Sequence, residues 1–142
     1  VTMLIRRTGR RANQVEVEII ERLRTVEAEE DEWDYWKDGA RHVEIEDLGP
    51  IKRAIVVFHE PEYADDVIWL AWIEGRASGA WKKLGELLRA ADIDRMVVLD
   101  TQDPKLVAFW RHQGFYEVDF EAAVDLVGDH ARPDATTLSG WY

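Results

Sequence analysis

The sequence predicts an α/β (α+β) domain in which a mixed sheet is flanked by helices, and three observations carry that prediction. A β-branched and aromatic run, Val67 to Glu74, leads into a helical pattern and then into a second buried run, Arg95 to Asp100. Two strands joined this way, with short connections, make a right-handed parallel crossover. Asp103 and Pro104 open a helix that Gly114 closes. An aspartate accepts from first-turn amides, proline gives up only an amide the helix leaves idle, and glycine tolerates the turn beyond the last residue. Upstream, two alternating runs meet at Asp47-Leu48-Gly49-Pro50, residues suited to an antiparallel hairpin turn.

Taken in order, Met3 to Arg7 reads as a short strand, with Arg6, Arg7, Arg10 and Arg11 at its solvated end. Val15, Ile19, Leu23 and Val26 recur at helical spacing, giving an amphipathic helix from Asn13 to Glu30. An acidic run from Glu27 to Asp34, followed by Trp33, Tyr35, Trp36 and Gly39, reads as a loop or a short second helix. The hairpin strands are His42 to Glu46 and Arg53 to His59, the second ended by Glu60-Pro61. Gly75 releases the Val67 to Glu74 strand, and Ala80, Leu84, Leu87, Leu88 and Ala91 mark one face of a helix running from Ser78 to Ala91. Phe115 to Phe120 reads as a strand after the Pro104 helix. Thr136 to Tyr142 reads as a last strand paired with it across an irregular segment containing Gly128 and Pro133.

A chain of 142 residues that is 46% hydrophobic suits one sizeable core and a single domain spanning residues 1–142. No apolar stretch approaches the roughly 20 residues that span a bilayer, and the first residues lack the apolar block of a secretory signal, so a cytoplasmic, non-membrane protein is expected. The absence of cysteine excludes disulfides, thiolate metal sites and cysteine nucleophiles, and the four histidines are too scattered to predict a metal site. A net charge of -11 disfavours nucleic acid and favours a cationic partner or adaptation to high salt. Nothing in the sequence decides the oligomeric state, and a homodimer is one assembly it allows.

The segment Gly75-Arg76-Ala77-Ser78-Gly79-Ala80 leaves a central strand and enters a helix, with small residues around one arginine. With Ser78 near the cap, the amides of Gly79, Ala80 and Trp81 lack intrahelical acceptors and lie at the positive end of the helix dipole. An anion fits there, with Arg76 as a forked donor; the plain alternative is a capped helix with no ligand.

The run Arg76-Ala-Ser-Gly-Ala-Trp-Lys-Lys-Leu84 resembles the coenzyme A pyrophosphate loop of the GNAT N-acetyltransferases, Arg/Gln-x-x-Gly-x-Gly/Ala, matching at Arg76 and Gly79. Asp103-Pro-Lys-Leu-Val-Ala-Phe109-Trp110-Arg-His-Gln-Gly114-Phe115 is similar to that family's Asn-x-x-Ala-x-x-Phe-Tyr-x-x-x-Gly-Phe segment, matching at Phe109, Gly114 and Phe115. The resemblance covers Val67 to Val118. It implies a GNAT-like twisted mixed sheet, split between its fourth and fifth strands, with acetyl-coenzyme A (acetyl-CoA) held in the split as acyl donor and no metal. It further implies backbone hydrogen bonds from Leu70, Ala71 and Trp72 to the pantetheine arm, and a pyrophosphate facing Arg76, Gly79 and Ala80. Ala77, Ser78 and Trp81 complete that loop, and Asp103, Phe109 and Trp110 come from the second segment.

Two residues depart from the pattern. Trp81 stands where a second small residue is usual and crowds the diphosphate unless it points to the core. Trp110 replaces the tyrosine whose phenol protonates the departing thiolate, a step an indole N–H does not perform. For the base that takes the ammonium proton, Glu74 and Asp100 at the ends of the two central strands are candidates, each also readable as a solvated strand-end carboxylate. Tyr116 and His112 are near the right segment to stand in for the missing phenol, His112 being expected on the exposed face of its helix. The acidic run Glu27, Glu29, Glu30, Asp31, Glu32 and Asp34 and the aromatics Trp33, Tyr35 and Trp36 fall where the resemblance places the acceptor loop, but read first as a solvated charge run and core aromatics. The expected activity is acyl-CoA-dependent N-acyl transfer to an amine substrate of a small molecule or protein; the alternative is a non-catalytic GNAT-like module for protein interaction or ligand sensing.

Overall fold

A computed structural model of the chain describes residues 2–28, 41–59 and 63–142. Helix α1 (Thr2–Ala28) is followed by the hairpin β1 (Arg41–Leu48) and β2 (Ile51–His59), and then by β3 (Val67–Gly75), α2 (Ala77–Ala90) and β4 (Met96–Thr101). Next come α3 (Pro104–His112), the short β5 (Tyr116–Val118), α4 (Phe120–Val127), a single 3-10 turn (Gly128–His130) and β6 (Thr136–Gly140).

The six strands form one mixed sheet in the order β1-β2-β3-β4-β6-β5. Strands β3 and β4 are parallel, and every other neighbouring pair is antiparallel. The expected last pairing is present, but β6 also pairs with β4 and so lies between β4 and β5. Both the β3-α2-β4 and β4-α3-β5 connections step the same way across the sheet, so right-handed crossovers place α2 and α3 on one face. The core agrees: Leu23 and Val26 of α1, Leu84, Leu87 and Leu88 of α2 and Trp110 of α3 pack with Ile68, Leu70, Val97 and Leu99 of the sheet. On the opposite face Val127 of α4 packs with Tyr63, Val67, Trp69 and Val98.

Strand β3 changes its aim partway. Val56 pairs with Leu70 but Ile55 pairs with Trp72, which leaves Ala71 as an extra, bulged residue. Without it Trp72 would fall on the helix-α2 face; with it the indole joins the α4 face and is 48% exposed.

Several sequence expectations change. Met3 to Arg7 is part of α1, not a strand. A lone three-residue apolar run has no strand to satisfy its backbone, whereas a helix satisfies its own. Accordingly α1 starts eleven residues before Asn13, at Thr2, and the arginines 6, 7, 10 and 11 lie on it rather than at a strand end. Strand β1 runs through Asp47 to Leu48, leaving Gly49 and Pro50 as the turn. The strand expected over Phe115 to Phe120 stops at Val118, because Asp119 caps a new helix by accepting from the Ala122 amide at 2.8 Å. The irregular segment before β6 is therefore mostly α4 and its 3-10 turn.

Glu27, read as the start of an acceptor-attracting run, is instead a structural anchor. Arg95, just ahead of β4 and 8% exposed, reaches both its carboxylate oxygens, at 3.0 and 2.8 Å, and donates from Nη1 to the Val67 carbonyl at 3.4 Å. The remaining acidic residues, 29–34, and the aromatics Trp33, Tyr35 and Trp36 lie outside the described residues.

Candidate functional site

The parallel pairing of β3 and β4 joins Val67, Ile68 and Trp69 to Met96, Val97 and Val98 and goes no further, although both strands continue. Where it ends a cavity of about 300 Å³ opens, lined by Leu70, Ala71, Trp72 and Ile73 from β3 and Leu99, Asp100 and Thr101 from β4, with Leu106 and Trp110 from α3. Leu70, Ile73 and Leu99 belong to the α2/α3 face. Trp72 lies opposite Ile55 and Asp100 is two residues past Val98, both on the α4 face. The cleft is thus lined from both faces of the sheet. Past Trp69, backbone groups of β3 that point toward β4 have no strand partner there, and they border this space.

A second cavity, about 320 Å³, shares Ile73, Leu106 and Trp110 with the first and extends along Glu74, Gly75, Ala80, Trp81 and Phe109 to the start of α2. Apart from Glu74 its lining is mostly apolar. Trp81, 6% exposed, points into the core, with its ring centroid 5.3 Å edge-on from both Trp110 and Phe115. The bulk at position 81 is therefore absorbed by the α2–α3 interface and does not cover the turn. Trp110 is 5% exposed and packs on Phe109 as well.

The α2 N-terminus differs from the expected one. Arg76, not Ser78, is the N-cap, with extended backbone, and the helix begins at Ala77. The Gly79 amide already donates to the Arg76 carbonyl at 3.0 Å, so the amides left over in the first turn are those of Ala77 and Ser78. Ser78 is exposed and makes no cap bond. Arg76 is exposed, and its own amide donates to Pro50 O at 3.0 Å. A Cβ on Gly75 would lie 2.1 Å from that carbonyl oxygen, and one on Gly79 would lie 3.3 Å from the Pro50 ring. Gly75 is thus required by the hairpin turn that clamps this loop, and Gly79 lies close against the same turn, a reason distinct from ligand approach. On the far side of the clamp a polar hollow of about 450 Å³ is lined by Asp47, Lys52, Glu74 and Arg76 among others.

The three catalytic candidates separate. Glu74 is bound by Lys52 Nζ at 3.0 Å and accepts from Trp72 Nε1 at 3.3 Å; these partners, Lys52 first, hold its carboxyl below the usual range. Arg53 covers the Trp72 ring at 5.8 Å. Asp100 stands in the cleft wall, where burial raises its pKa, with nearby Arg132 opposing and Asp134 reinforcing the rise. Tyr116 is on the edge strand with β6 between it and β4, about 10 Å away, and is 76% exposed, so the structure does not bring it to the cleft. His112 is exposed at the end of α3, and Asp103 caps α3 by accepting from the Lys105 amide at 2.9 Å.

Ile73 and Leu106 were not singled out in the sequence, and Pro50 was read only as a turn residue. Leu106 carried a signal: it is an apolar residue in the first turn of a helix whose buried face is set by Trp110, and it is 46% exposed at the cleft.

Among the described residues no helix is long and apolar enough to cross a membrane and no cluster of three or more acidic or histidine side chains could hold a metal ion. No protein-family model, curated protein or solved structure matches the chain.

Proposed function

We propose that the protein is an acyl-CoA-dependent N-acyltransferase of the GNAT type that moves an acetyl group from acetyl-CoA to an amine. The observation that supports this most is the cleft between β3 and β4, which is lined from both faces of the sheet. A donor lying along α2 and α3 and an acceptor arriving from the α4 side meet there without sharing an entrance. The free edge of Leu70 to Ile73 suits an amide-bearing pantetheine arm, and the apolar groove beside Trp81, Phe109 and Leu106 leads back to the α2 turn. Arg76 and the Ala77 and Ser78 amides would face the diphosphate.

Asp100 is the base in this reading, because burial favours its taking up a proton, whereas Glu74 is held ionised by Lys52. It removes a proton from the ammonium, and the freed nitrogen lone pair attacks the thioester carbonyl. The C–S bond breaks, and the second nitrogen proton goes to the departing thiolate, giving amide and thiol. With Trp110 buried and Tyr116 on the edge strand, neither serves as the acid; a thiolate leaves without one.

The alternative, a non-catalytic module of the same fold, draws on one observation: Pro50 fills the space against Gly75 and Gly79 that the ligand reading assigns to diphosphate. Calorimetric titration with acetyl-CoA at low and high salt separates the two. The transferase reading expects saturable binding that Arg76→Ala weakens about 10- to 100-fold, the loss of a charge-assisted contact. Absence of binding at both salts favours the module.

A further inference from the structure

Trp72 lines the cleft and is 48% exposed, so its indole does not serve to fill the core. Two β-bulges set its surroundings. Ala71 is the extra residue that turns Trp72 to the α4 face. On the neighbouring strand Ile51 pairs with Gly75 while Arg53 pairs with Glu74, which leaves Lys52 as a second extra residue. In an unbroken strand, residues 52 and 53 would point to opposite faces. Here both reach the same group of side chains. Lys52 Nζ lies 3.0 Å from Glu74 Oε1, Glu74 Oε2 accepts from Trp72 Nε1 at 3.3 Å, and the Arg53 guanidinium sits over the Trp72 ring, 5.8 Å from its centre. Arg53 is in turn held by Glu44 Oε1, at 2.9 Å from Nε and 2.8 Å from Nη2. The indole is thus clamped from β2 while it borders the cavity that Asp100 lines from β4.

We propose that Trp72 selects the acyl acceptor by taking the aromatic ring of a primary amine whose ammonium goes to Asp100, and that Glu74, Lys52 and Arg53 are positioning residues that hold the indole for it. This assignment rests on the transferase reading. Three features of the clamp argue for a ring and against a second charge. The one hydrogen-bond donor of the indole is committed to Glu74, so what Trp72 offers the cleft is ring surface. The carboxylates beside it, Glu44 and Glu74, are each paired with a cation, so a second ammonium finds neither free, although a net charge of -11 draws polycations to the molecule. An indole already fixed loses little freedom when a ligand packs on it, and aromatic pairs gain from edge or offset contact beyond the area they bury. Glu74 therefore acts through Trp72 and not on the reacting atoms, which gives a use to a strand-end carboxylate that Lys52 keeps ionised.

The test measures thiol release from acetyl-CoA with phenyl-bearing alkylamines, straight-chain diamines of matched length and terminally blocked lysine peptides. It uses the wild-type chain, Trp72→Ala, Trp72→Phe, Glu74→Ala and Glu74→Gln. The expected result is a KM lower for the ring-bearing amine than for the diamine by about 10- to 100-fold. Trp72→Ala should erase that difference, and Trp72→Phe should keep most of it. Glu74→Ala should raise the KM for the ring-bearing amine by about 3- to 10-fold, acting on KM more than on kcat, and Glu74→Gln, whose side-chain oxygen still accepts from the indole, should restore it. In the ligand-free protein the Trp72 indole N–H resonance should move in Glu74→Ala and return toward its wild-type position in Glu74→Gln. Equal or better use of the diamines or the blocked peptides, no use of the ring-bearing amines, or a preference that survives Trp72→Ala overturns the assignment while leaving the transferase reading intact. A loss confined to kcat in Glu74→Ala overturns the positioning role. Failure of acetyl-CoA to bind overturns both the assignment and the transferase reading.

Discussion

Asp100 and Glu74 stand near the ends of neighbouring strands, carry the same charge and are indistinguishable by position in the sequence; their surroundings set their proton affinities apart. Glu74 has Lys52 and the Trp72 indole, and a carboxylate so satisfied holds its proton poorly. Asp100 is half-buried in the cleft wall, and burial raises its pKa. The folded state therefore binds the Asp100 proton more tightly than the unfolded chain. That stabilising contribution is full below the ordinary aspartate range and is lost as pH rises through the raised folded value, so at neutral pH the charge is a cost. Asp100→Asn should accordingly raise Tm by about 1 to 3 °C at neutral pH while lowering kcat by about 100-fold or more. Thermal melts at pH 7 and steady-state rates check both halves, and a lower Tm with unchanged turnover would contradict the role. Arg76 and Trp81 show how far single residues could be read beforehand. Their adjacency to a strand end made them visible, but only packing reveals that the Trp81 ring turns inward and that Pro50, from the β1–β2 turn, sits against Gly75 and Gly79.

At the scale of elements, what was legible followed from periodicity. The switch from β-branched runs to a 3.6-residue spacing located β3, α2 and β4, and the Asp103-Pro104 start and Gly114 stop located α3, since caps act locally. Helix α4 was hidden because Phe115 to Phe120 alternates like a strand, although Phe120, Ala123, Val124 and Val127 already stand at helical spacing behind Asp119. Strand insertion was beyond local pattern: nothing near Thr136 tells that β6 enters between β4 and β5. The contact of Asp134 with Gln102 was missed for the same reason, because β6 register sets Thr136 and Thr137 against Thr101 and Asp100 from over thirty positions away. Helix α4 packs on the sheet through Val127, so its cap matters to stability. Asp119→Ala removes the acceptor of the Ala122 amide and should cost about 1 kcal/mol, read as a lower denaturant midpoint with unchanged slope. No change in the midpoint would mean that tertiary packing alone holds the helix.

For the whole molecule, the proposed transfer requires that the sheet, paired at one end of β3 and β4 and parted at the other, give donor and acceptor separate faces of a shared cleft. The described tryptophans report on it from within. Trp72, Trp81 and Trp110 line the cleft or its continuation, whereas Trp141, past the end of β6, lines neither. Trp72 is a sharp reporter because its Nε1 proton is already committed to Glu74. The most direct measurement is therefore the set of indole N–H resonances in a nitrogen-labelled sample, assigned by single Trp→Phe substitutions and followed as acetyl-CoA is added. The account predicts saturable shifts of the Trp72, Trp81 and Trp110 signals with Trp141 unmoved. Signals from those three that stay in place at saturating ligand, or a response confined to Trp141, would contradict it.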